Sequence, residues 1–114
     1  MNRIRHIALF AKDPEALGQF YVRTFGMKDV HRGMDGTVYL SDGHVNLAIV
    51  ASQDQPEGIF HFGFQVEDKH AVAKDAFANG APEGLHDMNI GFVESYIHDP
   101  VGQRVDLSEE GWKL

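Results

Sequence analysis

Two histidines, His6 and His61, stand at matching points of a sequence that is written twice. The run Arg3-Ile4-Arg5-His6-Ile7-Ala8-Leu9-Phe10-Ala11-Lys12-Asp13 returns, 55 residues on, as Gly58-Ile59-Phe60-His61-Phe62-Gly63-Phe64-Gln65-Val66-Glu67-Asp68. Val45-Asn46-Leu47 likewise matches Val105-Asp106-Leu107. A duplication that repeats a histidine on one strand and a polar side chain on another sets four polar groups in related positions. Imidazole nitrogen beside carboxylate or amide oxygen is the donor set of a divalent-cation site. Cysteine is absent, which excludes thiolate ligands, disulfides and a cysteine nucleophile.

The elements that must position these groups follow from local chemistry. A strand is expected over Arg3–Phe10. Asp13-Pro14 then pairs an N-cap residue with proline at the first helical position, and Leu17, Phe20, Tyr21, Thr24 and Phe25 follow at helical spacing up to Gly26. Strands are expected near Lys28–His31, Thr37–Leu40 and Val45–Val50, the last after the Asp42-Gly43 turn. The order repeats with a strand over Ile59–Val66 and a helix capped by Asp68 and ended by Gly80. Strands near Phe92–Ile97 and Gln103–Ser108 flank the turn Asp99-Pro100-Val101-Gly102. The expectation is βαβββ twice: residues 1–52, a linker at 53–57, and residues 58–114, together one domain.

Alternation along the strands separates two faces. One carries Ile7, Leu9, Val45, Leu47, Ile49, Phe60, Phe62, Phe64, Val66, Val105 and Leu107, where helices should pack. The other carries His6, Ala8, Phe10, Asn46, Ala48, His61, Gly63, Arg104, Asp106 and Ser108. Small and polar residues there suit the lining of a cleft, because buried polar groups without partners are costly.

His6 before the Asp-Pro helix and Phe25-Gly26-Met27, His61 before Val66-Glu67-Asp68, and His98-Asp99-Pro100-Val101-Gly102-Gln103-Arg104-Val105-Asp106-Leu107 together resemble the vicinal oxygen chelate superfamily. That group includes glyoxalase I, bleomycin-resistance proteins, extradiol dioxygenases and fosfomycin-resistance enzymes. The resemblance covers essentially the whole chain. It implies an α+β fold in which two βαβββ modules make a cup-shaped mixed sheet. It also implies a divalent metal (Fe2+, Mn2+, Zn2+, Ni2+ or Co2+) held by His6, His61 and Asp106, and a homodimer. Where the family usually has glutamate this chain has the shorter Asp106, and Asn46 stands at the matching position of the first module. Two histidines and one carboxylate leave open coordination positions, which favours dioxygenase-like chemistry slightly over glyoxalase-like isomerisation. The alternative is a metal-free drug- or metabolite-binding protein of the bleomycin-resistance type. Thiol transfer of the fosfomycin type ranks lower, because Ala8 offers no hydroxyl.

Glu94, Tyr96 and His98 share one parity of their strand. Glu94 and Tyr96 are the candidates for acid–base or hydrogen-bonding roles, while His98 reads as a strand-end residue. Asn46, Phe10, Tyr39 and Arg104 are candidate substrate contacts, and Phe92 and Trp112 could add an apolar wall. His31, His44, His70 and His86 read as solvent-exposed. The helix aromatics Phe20, Tyr21, Phe25 and Phe77 read as core.

At 114 residues the chain suits one domain, and its 43% hydrophobic content suits a soluble globular protein. No apolar run is long enough for a membrane span, and Met1-Asn2-Arg3 leads straight into a strand, so a cytoplasmic protein is expected. A net charge of −7 argues against a nucleic-acid partner and chiefly keeps the protein soluble, while the resemblance implies a small-molecule substrate or ligand.

Overall fold

The computed structural model describes residues 2–88 and 94–114. The element order is β1 (Arg3–Ala11), α1 (Pro14–Phe25), β2 (Lys28–Arg32), β3 (Val38–Ser41), β4 (Asn46–Ala51), β5 (Gly58–Gln65), α2 (Lys69–Ala78), β6 (Ser95–His98) and β7 (Arg104–Ser108). The fold is therefore α+β, with strand orders β2-β3-β4-β1 and β5-β7-β6 in its two halves. The chain resolves into two compact units: His6–Phe60 with Lys113–Leu114, and Met1–Arg5 with His61–Trp112. They are called the first and second unit below.

Local chemistry sets the helix ends. The Asp13 side chain accepts from the Ala16 N–H at 3.1 Å, Pro14 occupies the first turn, and Gly26 closes α1 at φ 70 with its N–H on the Val22 carbonyl. A left-handed residue there favours glycine, which has no Cβ to clash. Asp68 caps α2 by accepting from the N–H groups of His70 and Ala71.

In the first unit β1 pairs parallel with β4, β4 antiparallel with β3, and β3 antiparallel with β2. Leu9, Ala11, Val38, Leu40, Leu47 and Ile49 form its core, under Leu17, Tyr21 and Val22 of α1. In the second unit β5 pairs parallel with β7, and β7 antiparallel with β6. There Val66, Ala73, Ile97, Val105 and Leu107 form the core with Phe62 and Phe64. The expected apolar face is thus the helix-covered face, and Ser95 and Ile97 are buried on it while Tyr96 and His98 take the other parity.

Four expectations need correction. Phe20, Phe25 and Phe77 are exposed, not core. The buried stripe of α1 runs through Leu17, Tyr21 and Val22; Phe20 lies off it, Phe25 is the last helical residue, and both rings pack on Tyr21 at 5.3 and 6.0 Å. Phe60 stacks on Phe10 with centroids 4.2 Å apart instead of joining Phe62 and Phe64. It sits two residues, about 7 Å, further back along the strand than the part α2 covers. The extra strand of the second half is reduced, among the described residues, to one bridge between His86 and Tyr96. That bridge leaves His86 half-buried where exposure was expected. The expected start of β6 at Phe92, and Phe92 itself, lie outside the described residues.

No helix among the described residues is long and apolar enough to cross a membrane.

Candidate functional site

Asp106 sits mid-strand in β7, with Gly63 of β5 opposite on one side and Tyr96 of β6 opposite on the other. A carboxylate this deep is costly unless its charge is met. Both oxygens are engaged. Oδ2 lies 2.9 Å from His61 Nε2, and Oδ1 accepts from Arg104 Nε at 2.8 Å. Arg104 precedes Asp106 by two residues and so shares its face. The Arg104 guanidinium carbon also stands 4.2 Å from the centre of the Tyr96 ring, whose opposite neighbour, His86, stacks at 4.6 Å. His61, Asp106, Arg104 and Tyr96 therefore form one polar cluster in the second unit.

Glu94, one residue before β6, belongs to the same cluster electrostatically. Burial pushes its carboxyl up to about 7, and the negative charges of Asp106 and Glu110 push in the same direction. A carboxyl that titrates near neutrality can both give and take a proton.

In the first unit His6 and Asn46 face each other across the parallel β1–β4 pair. His6 Nδ1 lies 3.3 Å from Asn46 Oδ1, and Asn46 Nδ2 donates to the Lys113 carbonyl at 2.8 Å. The amide's orientation is thus set by Lys113. An acceptor at Nδ1 selects the Nδ1–H tautomer of His6 and puts the ring lone pair on Nε2. Asn46 was expected to touch substrate; both ends of its amide are occupied inside the unit. Phe10 lies against Phe60, and Tyr39 stacks on His31 at 5.7 Å.

On the small and polar face, expected to line a cleft, His6, Asn46, His61 and Asp106 are only 4%, 1%, 6% and 1% exposed. Part of the cover comes from the chain's last residues. In the second unit the Trp112 ring lies over Gly63, and the Gly111 N–H donates to Ser108 Oγ at 2.9 Å. In the first, Lys113 receives Asn46. Trp112, read as an apolar wall or as a tail packed on the body or on a second subunit, packs on Gly63 of its own unit.

The donors suit a divalent cation. Ligands about 2.1 Å from a six-coordinate ion lie about 3.0 Å apart at adjacent positions, and His61 Nε2 and Asp106 Oδ2 are 2.9 Å apart. With Oδ1 on Arg104, Asp106 would bind through Oδ2 alone.

Sequence reasoning missed a second group in the second unit, Glu83, His86 and His98, whose ligating atoms lie within 4.8 Å of one another. The available signal was the Glu83/His86 spacing of three residues.

Solved structures with the same fold include a hypothetical protein from Bacillus halodurans C-125, at TM-score 0.73 and 16% identity over 99% of both chains. Methylmalonyl-CoA epimerase from Mycobacterium tuberculosis matches at TM-score 0.71 and 18% identity, over 91% of this chain and 85% of that one. The 2,3-dioxygenase LapB from Pseudomonas sp. KL28 matches at 0.69 and 23%, over 92% of this chain but 39% of LapB. At these identities the likeness is one of fold. No curated protein sequence matches the chain. The glyoxalase-like domain family matches residues 6–108. With nearly the whole chain inside that match and the same fold in an epimerase and a dioxygenase, the chain belongs to the glyoxalase-like domain family of the vicinal oxygen chelate superfamily.

Proposed function

We propose that the chain is a divalent-metal-assisted enzyme that moves a proton on a small substrate bearing two neighbouring oxygens. His6, His61 and Asp106 hold the cation, and Glu94 is the acid–base group. The observation that carries this reading is the buried pair of His61 Nε2 and Asp106 Oδ2, 2.9 Å apart and matched at the same points of the repeat by His6 and Asn46; the raised Glu94 carboxyl supports it. The two histidines stand at matched points of the repeat, and each is buried against the polar residue of its own module's last strand.

Fe2+, Mn2+, Zn2+, Ni2+ or Co2+ suits two imidazoles and a carboxylate, and when bound would supply Lewis-acid polarisation of a substrate oxygen. Asn46 holds His6 in the tautomer whose Nε2 can act as ligand. Arg104 orients Asp106 so that Oδ2 is the presented oxygen. Glu94 takes the substrate proton in its ionised form and returns it in its neutral form. Tyr96, its ring pinned between His86 and Arg104, donates a hydrogen bond to substrate oxygen.

The ligand count alone favours dioxygenase-like chemistry. Glu94 favours proton transfer, since a near-neutral carboxyl is what an acid–base step needs. Epimerases are among the proteins that share this fold, and inverting a carbon centre by proton exchange is chemistry of that kind. The chain would act as a homodimer, as the resemblance implies.

A metal-free binding protein of the bleomycin-resistance type is the second reading. It is favoured by the engagement of both Asp106 oxygens by His61 and Arg104, which meets the buried charge without a cation.

Element-resolved metal analysis of tag-free protein, with loss of the α-proton signal of 2-oxo acids and thioesters in D2O, separates the two. Stoichiometric metal that disappears in His6→Ala, His61→Ala and Asp106→Ala, with exchange abolished in Glu94→Gln while metal is kept, supports the enzyme. A metal-free parent that binds small aromatic ligands and exchanges no proton supports the binding protein.

A further inference from the structure

The geometry points to a second transition-metal site in the second unit, formed by Glu83, His86 and His98 and open to a Zn2+-class cation. These three residues lie outside the ligand set of the proposed centre, and the assignment does not depend on that centre. Glu83 Oε1 is 2.8 Å from His86 Nε2 and 3.1 Å from His98 Nδ1. Both imidazoles therefore converge on one carboxylate oxygen. Ligands at 2.1 Å from a cation lie about 3.0 Å apart in six-coordinate geometry and about 3.4 Å in four-coordinate geometry. The observed separations fall at that scale.

The direction of approach adds a second argument. His86 Nε2 is 2.8 Å from the carboxylate oxygen, yet its ring N–H makes no well-aligned hydrogen bond. A pair joined by a hydrogen bond points donor at acceptor. His98 Nδ1 makes such a bond to Glu83 Oε1 at 3.1 Å, and only His86 stands off the hydrogen-bond axis while meeting the same oxygen. The His86 and His98 rings cross at 81°, so their nitrogens approach from different directions, as ligands around a common centre do.

The two histidines are also held before any ion arrives. His86 and Tyr96 exchange both backbone hydrogen bonds, at 2.8 and 2.9 Å, and His98 lies in β6 opposite Arg104. Asp87, next to His86, is tied to Lys69 at 3.0 Å and accepts from the Ser95 hydroxyl at 2.7 Å. Ordering of the ligands therefore takes little further entropy. Glu83, His86 and His98 keep 51%, 33% and 30% of their side-chain surface, which leaves room for entry and for water on the remaining positions. Two nitrogens and one oxygen favour Zn2+, Co2+, Ni2+ or Cu2+ over Mg2+ or Ca2+.

The test is Zn2+ titration of tag-free, chelator-stripped protein by calorimetry, comparing the parent, His61→Ala, and the triple variant Glu83→Gln/His86→Gln/His98→Gln. The parent is expected to bind one equivalent more than the triple variant, and His61→Ala to keep that equivalent. Equal uptake by parent and triple variant overturns the site. One equivalent in the parent that survives His61→Ala and vanishes in the triple variant supports this site and sinks the centre of the proposed function. The reverse pattern does the opposite. Should the triple variant lose its circular-dichroism signature, His98→Gln alone serves. A Zn2+ affinity lowered by roughly tenfold or more supports the site, and a smaller change overturns it.

Discussion

The Trp112 ring occupies the space that a side chain at Gly63 would need. A β-carbon at position 63 would stand 2.7 Å from Trp112 Cη2, 3.0 Å from Cζ2 and 3.1 Å from Asp106 Cβ. The glycine is thus where β5 accepts the returning tail, directly opposite the buried carboxylate on the neighbouring strand. Gly63→Ala should cost about 1–3 kcal/mol in urea unfolding, the usual range for overpacking. Because Trp112 is the only tryptophan, its fluorescence should shift in the same variant. Trp112→Ala should make the alanine at 63 nearly neutral, giving a coupling free energy in a double-mutant cycle.

Asp106→Ala should destabilise the chain by roughly 3–5 kcal/mol, because it strips His61 and Arg104 of a buried partner. Equilibrium urea unfolding with and without a chelator checks this. A loss that is the same in both conditions assigns it to the ion pair rather than to a bound cation.

Glu94 sets a pH dependence whose sign is fixed. Its carboxyl titrates near 4.5 when unfolded and at about 7 in the fold. Between those values the native state holds a proton that the unfolded chain has released. The native state is therefore penalised progressively as pH rises from about 4.5 to about 7, and fully above that. At about 1.4 kcal/mol per pKa unit, and with solvent screening of a partly exposed group, the penalty stays below about 3.5 kcal/mol. Glu94→Gln should flatten this slope and be more stable than the parent at pH 8 but not at pH 4. Urea midpoints at the two pH values decide it. Proton exchange carried by Glu94 as base should rise through the same region near pH 7 and be absent from Glu94→Gln.

Asn46→Ala removes the acceptor facing His6 and the donor to Lys113. If His6 is a ligand, losing the group that sets its tautomer should weaken metal binding by roughly 10–100-fold. Calorimetric titration of the stripped protein measures it. Asn46→Asp, which keeps an acceptor for His6 and loses the donor to Lys113, should recover most of the affinity.

Much of the architecture was legible because it is decided locally or by period. Asp13, Pro14, Gly26 and Asp68 act on atoms within four residues of themselves, so their caps could be read directly. The alternation of Leu47 and Ile49 with Asn46 and Ala48 assigns faces, and the repeat pairs His6 with Asn46 and His61 with Asp106 as polar residues of one kind of surface. The exposure of Phe20, Phe25 and Phe77 was not legible, since helical spacing shows a stripe but not how far the sheet beneath it extends.

The sequence by itself determined the duplicated α+β plan, the helix ends, the helix-facing core and the polar set from which a site could be made. Tertiary structure alone decided that Arg104 and His61 divide the oxygens of Asp106, that the tail covers Gly63, that Asn46 serves His6 and Lys113, and that Glu94 titrates near neutrality. Caps and periodicity are short-range, set by bonds and neighbours along the chain. A shifted carboxyl or a shared oxygen depends on which distant charges and rings exclude water together, and that is fixed only when the strands have found their register.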